Sequence, residues 1–356
     1  MDEPLESLRE RIAEKDREMV ELLAERNRLA GEVGERKLSL GRPIRDLEVE
    51  EGVYRRFREL GEENGIGETT SSEMARIAIG EAVEVQSRLY LPSESRRILV
   101  VGGAGKMGSW LSQYFHRRGH EVMVHDPGGR TGFPRATPGE SGAEVVVVAT
   151  PIGTVSETLE ELGTLSKEAL VFDIASIKNP LAFTLRRMVQ EGRKVCSVHP
   201  MFGPDAPSLF DRNVLICDCG SRRAVEEAME LFEGAGGHLR VIGLEEHDRL
   251  MSLVLGLSHA VSLGFFSALA RSDFSYRDLA GAASTTFRKQ MDASRDVAFE
   301  NPEMYFDIQS KNPFAEGALS LLSHSLEEIR RSAVKGDKDT FLDIMRRGKE
   351  YFGGSE

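Results

Sequence analysis

The sequence predicts a multi-domain chain: an all-α domain of three helices, then a doubly wound α/β domain, then a second all-α domain. Three observations support this order. Residues 1–91 carry apolar stripes with helical spacing. Residues 96–244 alternate short β-branched runs with helical stretches, the pattern of a sheet covered by helices. Residues 245–356 are helical in pattern almost throughout. The polar segment Leu91–Ser95 separates the first two domains.

The composition excludes several classes of function. The net charge is −12, so no overall basic field favours nucleic acid or an anionic membrane. Cys196, Cys217 and Cys219 lack metal-ligand spacing, so we expect no metal site, reduced thiols and a cytoplasmic location. We also expect no signal peptide and no apolar run of the ~20 residues that span a bilayer.

The first helix is predicted over Leu5–Leu38, which is too long for so small a domain, so we expect it to pair with a second chain. Arg26 interrupts its apolar stripe, Lys37 lies one turn beyond the stripe, and Arg9 lies at its edge. A single such cation could extend its side chain along the stripe to water. Two on one seam favour an anion-binding pocket, because a buried cation needs an anion.

Two further helices complete the first domain. The segment 41–43, Gly-Arg-Pro, ends the first helix, and the second runs from Leu47 to Glu63. The third is predicted to follow a capping region at Thr70–Ser72 and to continue to about Leu89. Gln86 lies on its apolar face, which places an amide among apolar neighbours.

Residues 5–90 resemble the all-helical chorismate mutase domain. The motifs are Leu-Arg-x-x-Ile near the start, then Leu-Leu-Ala-Glu-Arg, Glu-Val-Gly-x-x-Lys and Pro-Ile-Arg-Asp-x-x-x-Glu. In that family two chains interlock and build two shared sites. The rearrangement of chorismate needs no nucleophile, only a fixed conformer and donors aimed at the developing charge.

The resemblance implies contacts to both ends of chorismate. Arg26 and the partner subunit's Arg9 would hold the carboxylates. Lys37 and Gln86 would address the ether oxygen, whose charge grows as the C–O bond breaks. The ring hydroxyl end would be held by Asp46 and Glu50.

Two positions depart from the family pattern. Val49 stands where the family usually has an arginine, just before the glutamate, and Ala82 stands where it usually has a serine. The arginine that Val49 replaces would help to bind the substrate carboxylates, so we expect weaker binding of these groups. We expect an altered but active mutase, and the alternative is a helical dimerisation module without catalysis.

The second domain opens with a glycine-rich turn. Ile98–Val101 predicts a buried strand, and Gly103, Gly105 and Gly108 follow as Gly-x-Gly-x-x-Gly where a helix begins. The first glycine allows a tight turn, the second a close approach of backbone to a pyrophosphate, and the third close helix–strand packing. Asp126, 18 residues after Gly108, ends the next strand, where a carboxylate binds ribose hydroxyls and favours NAD over NADP. The alternative is a Rossmann domain that binds no nucleotide.

The remaining strands are predicted from apolar runs. Residues 127–142 have no helical period, so the usual crossover helix is expected to be a loop. Later strands are predicted at Ala143–Ala149, Leu170–Asp173, Lys194–Val198, Val214–Cys217 and Leu239–Ile242. Strand ends line the cofactor cleft in such sheets, so the expected NAD contacts are Gly103, Ala104, Gly105, Lys106, Met107, Gly108, Asp126, Thr150 and Pro151.

Three candidate catalytic residues follow predicted strand ends. Ser176 and Lys178 come after the strand that ends at Asp173, and His199 begins a loop that contains two prolines. A lone histidine is usually structural. One that is fixed at a strand end beside a dinucleotide cleft is suited to proton transfer.

Residues 97–352 resemble prephenate dehydrogenase. The match rests on the glycine motif and on Asp173-Ile-Ala-Ser176-Ile-Lys178, His199-Pro-Met-Phe-Gly-Pro204, Glu246-His247-Asp248, Ser258-His259 and Phe287-Arg288. With the first domain, the chain is similar to the bifunctional chorismate mutase–prephenate dehydrogenase family of tyrosine biosynthesis. The product of the first reaction is there the substrate of the second.

This resemblance implies a role for each candidate. His199 would draw off the proton of the ring hydroxyl and must be neutral to do so, while Ser176 would orient that hydroxyl and the nicotinamide. Lys178 would shape the electrostatics of the site or only pair with a surface acid. Arg288 would grip a substrate carboxylate, against the alternative of a surface salt bridge. His259 would lie near the pyruvyl group of prephenate or near inhibitory tyrosine.

The last hundred residues are predicted to form the helical core of a homodimer. One helix is expected over Glu245–Arg271, and others near Ser275–Phe299, Pro302–Asn312, Ala315–Lys335 and Lys338–Tyr351. His247 and His259 lie 12 residues apart on the first of these helices, too far for one metal ion, and His247 is expected to be structural.

Three alternatives stay open on sequence alone. The dehydrogenase could prefer arogenate, which carries an ammonium in place of the keto group. The helical domain could serve only assembly or regulation. The chain could also be an NAD-responsive binding protein without chemistry, which leaves His199 unexplained.

Overall fold

The computed structural model describes residues 4–89, 94–129, 131–162 and 165–353, so linker residues 91–93 lie outside the described chain. The chain forms two compact units. One comprises Met1–Thr150, Glu157–Ala175 and Thr184–Ile242, and the other comprises Pro151–Ser156, Ser176–Phe183 and Gly243–Glu356. The expected fold class is confirmed: helices come first, then a Rossmann-like sheet, then helices again.

Three helices open the first unit: α1 (Leu5–Ser39), α2 (Leu47–Glu63) and α3 (Glu68–Ser87). Asp46 caps α2, because its side chain accepts a hydrogen bond from the Val49 backbone N–H at 3.3 Å. The expectation that Thr70–Ser72 caps α3 is wrong, since the N-cap is Gly67. The Ser71 hydroxyl instead donates to the Gly67 carbonyl oxygen at 3.3 Å, a bond that a serine inside a helix can make.

Helix α1 buries almost nothing within one chain. Gly34 is the one residue of this helix that is buried. A Cβ added there would lie 2.8 Å from Cγ of Gln86, so glycine permits the close contact of α1 and α3. The exposed apolar stripe consists of Leu5, Leu8, Ile12, Met19, Leu22, Leu29 and Val33. An exposed stripe of this length requires a partner surface.

A seven-stranded sheet with the strand order β2-β1-β3-β4-β5-β6-β7 lies in the first unit. Its strands are β1 (Arg97–Val101), β2 (Glu121–His125), β3 (Val145–Val148), β4 (Leu170–Asp173), β5 (Lys194–Pro200), β6 (Asn213–Asp218) and β7 (His238–Gly243). Strands β1 to β5 are parallel, whereas β6 is antiparallel to β5. The reason is their connection: residues 201–212 form a loop without a crossover helix, which parallel strands would need.

Helices α4 (Lys106–Arg117), α5 (Ile152–Glu161), α6 (Ala182–Gln190) and α7 (Arg222–Phe232) lie between the strands in the sequence. The expected loop after β2 is confirmed, because the described residues of 127–144 contain no helix. The valines of β3 are fully buried, as in a strand covered on both faces. Trp110, Phe115 and Phe232 pack with the strands in one core.

The second unit is helical. Its helices are α8 (Leu244–Met251), α9 (Ser258–Ala270), α10 (Tyr276–Gly281), α11 (Thr285–Phe299), α12 (Pro302–Ser310), α13 (Ala315–Lys335) and α14 (Lys338–Gly353). A π-helical turn at Ser252–Leu257 joins α8 to α9. The single helix expected over Ser275–Phe299 is wrong, because Ser284 starts α11 by accepting a hydrogen bond from the Phe287 backbone N–H at 3.2 Å.

The helix Leu244–Ala270 is long and apolar enough to cross a membrane, judged by length and composition alone. The expectation that no apolar run reaches this length is therefore wrong. Only 11% of its apolar window is buried within one chain. Glycine, serine and alanine recur along it, and such small residues let a second helix approach closely. The core helix of a soluble protein can have the same length and composition, so one such helix is weak evidence for a membrane span.

Candidate active sites

The turn after β1 carries the glycine motif. Gly102, with φ +82°, makes the left-handed turn that was expected at Gly103. Gly103 is required for another reason, since a Cβ there would lie 2.7 Å from Cγ1 of Val124. At Gly108 a Cβ would lie 2.2 Å from the Gly102 carbonyl oxygen. Gly105 is the N-cap of α4, so no side chain caps the first N–H groups of this helix, and they can bind an anion.

The carboxylate of Asp126 lies against this turn. Its Oδ2 accepts a hydrogen bond from the Ala104 backbone N–H at 3.1 Å, and its Oδ1 accepts one from the Gly128 backbone N–H at 3.0 Å. An ionised carboxylate accepts about four hydrogen bonds, so two backbone donors fix Asp126 and leave further lone pairs. These can accept hydrogen bonds from ribose hydroxyls.

The end of β3 meets the same turn. A Cβ at Gly102 would lie 3.0 Å from the Thr150 backbone nitrogen. The Thr150 hydroxyl is buried and has no hydrogen-bond partner among the described residues, so a polar ligand would satisfy it. Of the other expected cofactor contacts, Lys106 is exposed and Met107 half-buried in the first turn of α4. Pro151 is exposed and belongs to the second unit.

His199 lies within β5 and not in the loop beyond it, which corrects the expectation. The strand continues to Pro200 because antiparallel β6 pairs with it, Leu215 lying opposite His199. The imidazole is still at the carboxyl end of β5 and is buried. Ser197, two residues earlier on the same face of the strand, was missed by the sequence analysis. Its hydroxyl is buried without a partner in the described chain, and the available signal was a hydroxyl in an apolar strand.

Ser176 and Lys178 belong to the second unit, where Asp248 of α8 fixes the adjoining backbone. Asp248 Oδ1 accepts a hydrogen bond from the Lys178 backbone N–H at 2.8 Å, and Oδ2 accepts one from the Asn179 N–H at 2.6 Å. The Asn312 amide donates to the Asp248 carbonyl oxygen at 2.8 Å. Lys178 is fully buried, so the alternative of a surface ion pair is wrong. Asp248, to which the sequence analysis assigned no role, orients this segment.

The two histidines of the long helix have different surroundings. His247 is fully buried, with Nδ1 2.8 Å from Asp248 Oδ1, in keeping with a structural role. His259 lies beside Tyr305 of α12, with ring centroids 4.3 Å apart. Burial lowers the pKa of His259 and raises the pKa of the Tyr305 phenol. His259 Nδ1 is buried without a partner among the described residues and is available to a ligand.

Arg288 lies in the first turn of α11 and is exposed. In the described part of the chain no carboxylate pairs with its guanidinium, so the alternative of a surface salt bridge has no support. Its donors are therefore available to a carboxylate ligand.

Three expected ligands on α1 and α3 contact neutral groups or have no partner. Arg26 donates from Nη1 to the Ala78 carbonyl oxygen, and burial lowers its pKa. Lys37 donates from Nζ to the Ile44 carbonyl oxygen. Gln86 is buried, and its Oε1 has no partner among the described residues. Because no acid neutralises the cations in these contacts, an anionic ligand can compete for them.

Glu50 of α2 is held by an arginine to which the sequence analysis gave no role. Arg45 donates from Nε to Oε1 at 2.8 Å and from Nη2 to Oε2 at 2.5 Å, a bidentate pair. Asp46 is exposed at the α2 cap, and the side chain of Val49 is exposed as well. Glu50 is thus paired with Arg45, which was not among the residues expected to contact chorismate.

Arg9 is exposed on α1, 3.6 Å from Glu6. It lies 17 residues before Arg26 on the same helix, which separates the two by about 25 Å at 1.5 Å per residue. One chain therefore does not bring Arg9 and Arg26 to one small substrate.

Three family models match successive parts of the chain. Residues 8–87 match chorismate mutase type II. Residues 134–241 match the prephenate dehydrogenase nucleotide-binding domain, and residues 244–347 match the prephenate dehydrogenase dimerization domain. The glycine motif lies before the residues matched by the second model.

The chain is also similar to complete proteins. A T-protein of Enterobacter agglomerans is 27% identical over 356 residues, covering 98% of this chain and 93% of the relative. A T-protein of Haemophilus influenzae is 27% identical, covering 99% and 93%. The crystal structure of prephenate dehydrogenase from A. aeolicus in complex with hydroxyphenyl propionate and NAD+ matches with a TM-score of 0.62 at 20% identity. It covers 74% of this chain and 100% of that chain, and it shows that the fold is shared.

Proposed function

The chain belongs to the family of bifunctional chorismate mutases/prephenate dehydrogenases, and we propose from this premise which residues carry each reaction. It rearranges chorismate to prephenate and then oxidises prephenate to 4-hydroxyphenylpyruvate with loss of CO2, in tyrosine biosynthesis. One observation carries the assignment of the second reaction. The buried imidazole of His199 lies at the carboxyl end of β5. In the same sheet, the glycine-rich turn after β1 fits a dinucleotide.

NAD is the cofactor, and the turn after β1 fits it. Gly103 and Gly108 leave no room for a side chain, so the turn packs closely against Val124 and against its own backbone. The N–H groups at the start of α4 would hold the pyrophosphate, Asp126 the ribose hydroxyls, and Thr150 a further polar group. Bound NAD supplies the nicotinamide ring that accepts a hydride.

His199 would move one proton. It accepts the proton of the prephenate ring hydroxyl while the carbon bearing that hydroxyl loses a hydride. The ring carboxylate leaves as CO2, its bonding electrons complete the aromatic ring, and the proton returns to the phenolic oxygen. Only a neutral imidazole accepts the proton, so protonation of His199 stops the reaction.

Other residues would orient the ends of prephenate. The Ser176 hydroxyl orients the ring hydroxyl, and Lys178 shapes the electrostatics from a buried position. Arg288 binds a carboxylate through its planar fork. His259, with its available Nδ1, would contact either the pyruvyl group of prephenate or inhibitory tyrosine.

The mutase site would be shared by two copies of the chain. Arg26 and the partner subunit's Arg9 hold the carboxylates of chorismate, which explains why about 25 Å separates these positions within one helix. Lys37 and Gln86 address the ether oxygen. Asp46 and Glu50 hold the hydroxyl end. The exposed stripe of α1 and the match to a dimerization domain both support a homodimer.

The domain limits that go with this assignment are 1–91 for the mutase, 96–244 for the NAD-binding domain and 245–356 for the dimer core. We place the protein in the cytoplasm. One observation favours a second candidate function for the first domain, assembly without catalysis, because Val49 replaces a cation that the family usually has. Preference for arogenate remains the alternative for the dehydrogenase.

The decisive experiment supplies chorismate with and without NAD. We expect chorismate to disappear in both cases and NADH to form only with NAD. If chorismate is not consumed without NAD, the N-terminal helical domain does not catalyse the rearrangement, and its role is assembly. Turnover of arogenate and prephenate is then compared at equal concentration, and faster turnover of arogenate would reassign the substrate.

The His199→Asn variant tests the dehydrogenase assignment. NADH formation should fall by about 10²–10⁴-fold, while NAD affinity and mutase rate stay unchanged. The control is His116→Asn, which alters an exposed histidine on α4. Equal loss of both activities in His199→Asn would contradict separate sites.

A further inference from the structure

The buried cluster of the N-terminal helices includes one side chain from the dinucleotide-binding domain. The cluster consists of Ile44, Val53, Ala75, Ile79 and Val83, and Phe210 packs against it. A Cβ at Gly80 of α3 would lie 3.1 Å from Cδ1 of Phe210. A Cβ at Gly236 would lie 2.6 Å from Cγ1 of Val83. Two glycines thus permit close contact between the two domains, which lie in one compact unit.

The same contact reaches the arginine that holds Glu50. The Arg45 guanidinium lies over the Phe210 ring, 5.2 Å from its centroid, a cation–π arrangement. Arg45 Nη1 also donates to the Gly236 carbonyl oxygen at 3.4 Å. Its other donors form the bidentate pair with Glu50. Arg45 therefore joins the dinucleotide-binding domain on one side to the expected chorismate ligand on the other.

The loop that carries Phe210 is itself anchored. It is the 201–212 loop between β5 and β6, and Trp110 Nε1 of α4 donates to its Ala206 carbonyl oxygen at 2.7 Å. The Asp211 N–H donates to the Gly236 carbonyl oxygen at 3.1 Å. Asp211 has φ +58°, a left-handed conformation that is uncommon for non-glycine residues, and its N–H bond helps to hold it there. Phe210 thus rests on a fixed support.

We propose that Phe210 and Gly236 are positioning residues of the chorismate mutase: they hold Arg45, and through it Glu50, in the orientation that receives the hydroxyl end of chorismate. This inference rests on the proposed mutase function. The bidentate pair uses two lone pairs of Glu50, and the carboxylate keeps two for a hydroxyl donor. The dinucleotide-binding domain would then supply part of the mutase scaffold, although none of its residues touches chorismate.

The test uses the full chain with Phe210→Ala. Without the ring, Arg45 loses its support, so the mutase kcat should fall about tenfold while KM for chorismate changes less than about threefold. Prephenate oxidation should stay unchanged. Phe210→Tyr keeps a ring beneath Arg45 and should recover most of kcat. The control Phe133→Ala removes another partly buried phenylalanine of this domain, one that packs on the sheet core and on His116 of α4 rather than on the N-terminal helices.

Hydrogen–deuterium exchange gives a readout that does not depend on chorismate turnover. Amides of residues 44–50 should exchange faster in Phe210→Ala, with those of residues 5–20 unchanged as reference. Unchanged kcat and unchanged exchange would overturn the proposal. So would a parallel loss of both activities in Phe210→Ala and Phe133→Ala, because that reports general destabilisation. If the wild-type chain does not consume chorismate, the proposed mutase function fails, and exchange alone decides whether Phe210 positions Arg45.

Discussion

The sheet and the N-terminal helices bury their side chains to opposite degrees. Strand residues Ile98–Val101 and Val145–Val148 are at most 5% exposed, so the sheet closes its core within one chain. On α1, Leu22 is 64% exposed and Leu29 is 55% exposed. The helices therefore lack part of their core when the chain is alone.

The two candidate sites differ in the same way. Asp126 is held by backbone N–H groups of its own βαβ unit, so this part of the candidate dinucleotide site is formed without a ligand. Arg26 donates to a carbonyl oxygen, and Glu50 pairs with Arg45, whose guanidinium lies over the Phe210 ring. Residues close together in sequence thus form the first site, whereas the second is assembled from residues that are distant in sequence.

The largest expected effect comes from Arg26→Met, which removes a cation proposed to bind the carboxylates of chorismate in the mutase site. Loss of a charged donor from a partly buried position should lower mutase kcat/KM by about 10²–10³-fold and leave prephenate oxidation unchanged. Chorismate disappearance and NADH formation are measured separately on one preparation. Arg28→Met, an exposed position two residues along α1, is the matched control. Equal activity of the two variants would remove Arg26 from the site.

The next effect tests whether the exposed stripe is an interface. Leu22→Glu places a charge in the stripe and should weaken association of two chains by about 10²-fold, because burial of an unpaired charge is costly. Light scattering across a dilution series measures it, with mutase activity followed in parallel. Arg28→Glu puts the same side chain at an exposed position six residues further along α1. Unchanged mass and activity for Leu22→Glu would mean that the stripe is not covered by a second chain.

A smaller effect tests the preformed cradle. Asp126→Asn keeps the shape of the side chain and removes its charge, so KM for NAD should rise about tenfold and use of NADP should increase. The mutase rate should not change. Steady-state kinetics with both nucleotides measure the shift, and Asp218→Asn, an exposed acid at the end of β6, is the control. A lower KM for NAD would contradict the assigned ribose contact.

The last prediction concerns stability instead of activity, namely the pH dependence of unfolding at the sheet. Burial, with Arg118 and Arg96 nearby, lowers the pKa of His120 to about 4, and its Nδ1 accepts the Arg96 backbone N–H at 3.2 Å. In the unfolded chain His120 binds a proton below about pH 6.5, whereas in the folded chain it stays neutral down to about pH 4. The unfolding free energy should therefore fall by about 1.4 kcal/mol for each unit by which the pH is lowered from about 6.5 to about 4. Above this window the contribution is constant.

Urea unfolding followed by circular dichroism measures that slope. His120→Gln does not titrate, so the part of the slope that His120 causes should vanish in this variant. An identical slope in the two proteins would show that other groups cause the acid sensitivity.

Local signals predicted much of the fold. Helices α2 and α13 begin and end at the expected residues, because Asp46 caps one and Gly336, with φ +67°, ends the other. The glycine turn after β1 and the position of Asp126 at the end of β2 were also expected, since one short motif encodes both, whereas the hydrogen bond between them was not.

Contacts between distant parts of the chain could not be predicted in this way. Phe210 meets Arg45 across 165 positions of sequence, and Asp248 meets Lys178 across 70. No periodicity encodes such pairs. The antiparallel β6 and the early start of α3 were also missed. The first depends on a missing crossover helix, and the second begins at Gly67, an N-cap without a capping side chain to signal it.

Trp110 is the single tryptophan of the chain. Its indole lies 4.9 Å from the Phe202 ring and holds the 201–212 loop, which begins beyond His199 and ends near Phe210. An intrinsic fluorophore therefore touches the stretch of backbone that connects the two chemistries. We expect its emission to report changes in this loop without a label, so fluorescence during rapid mixing with each substrate can follow them.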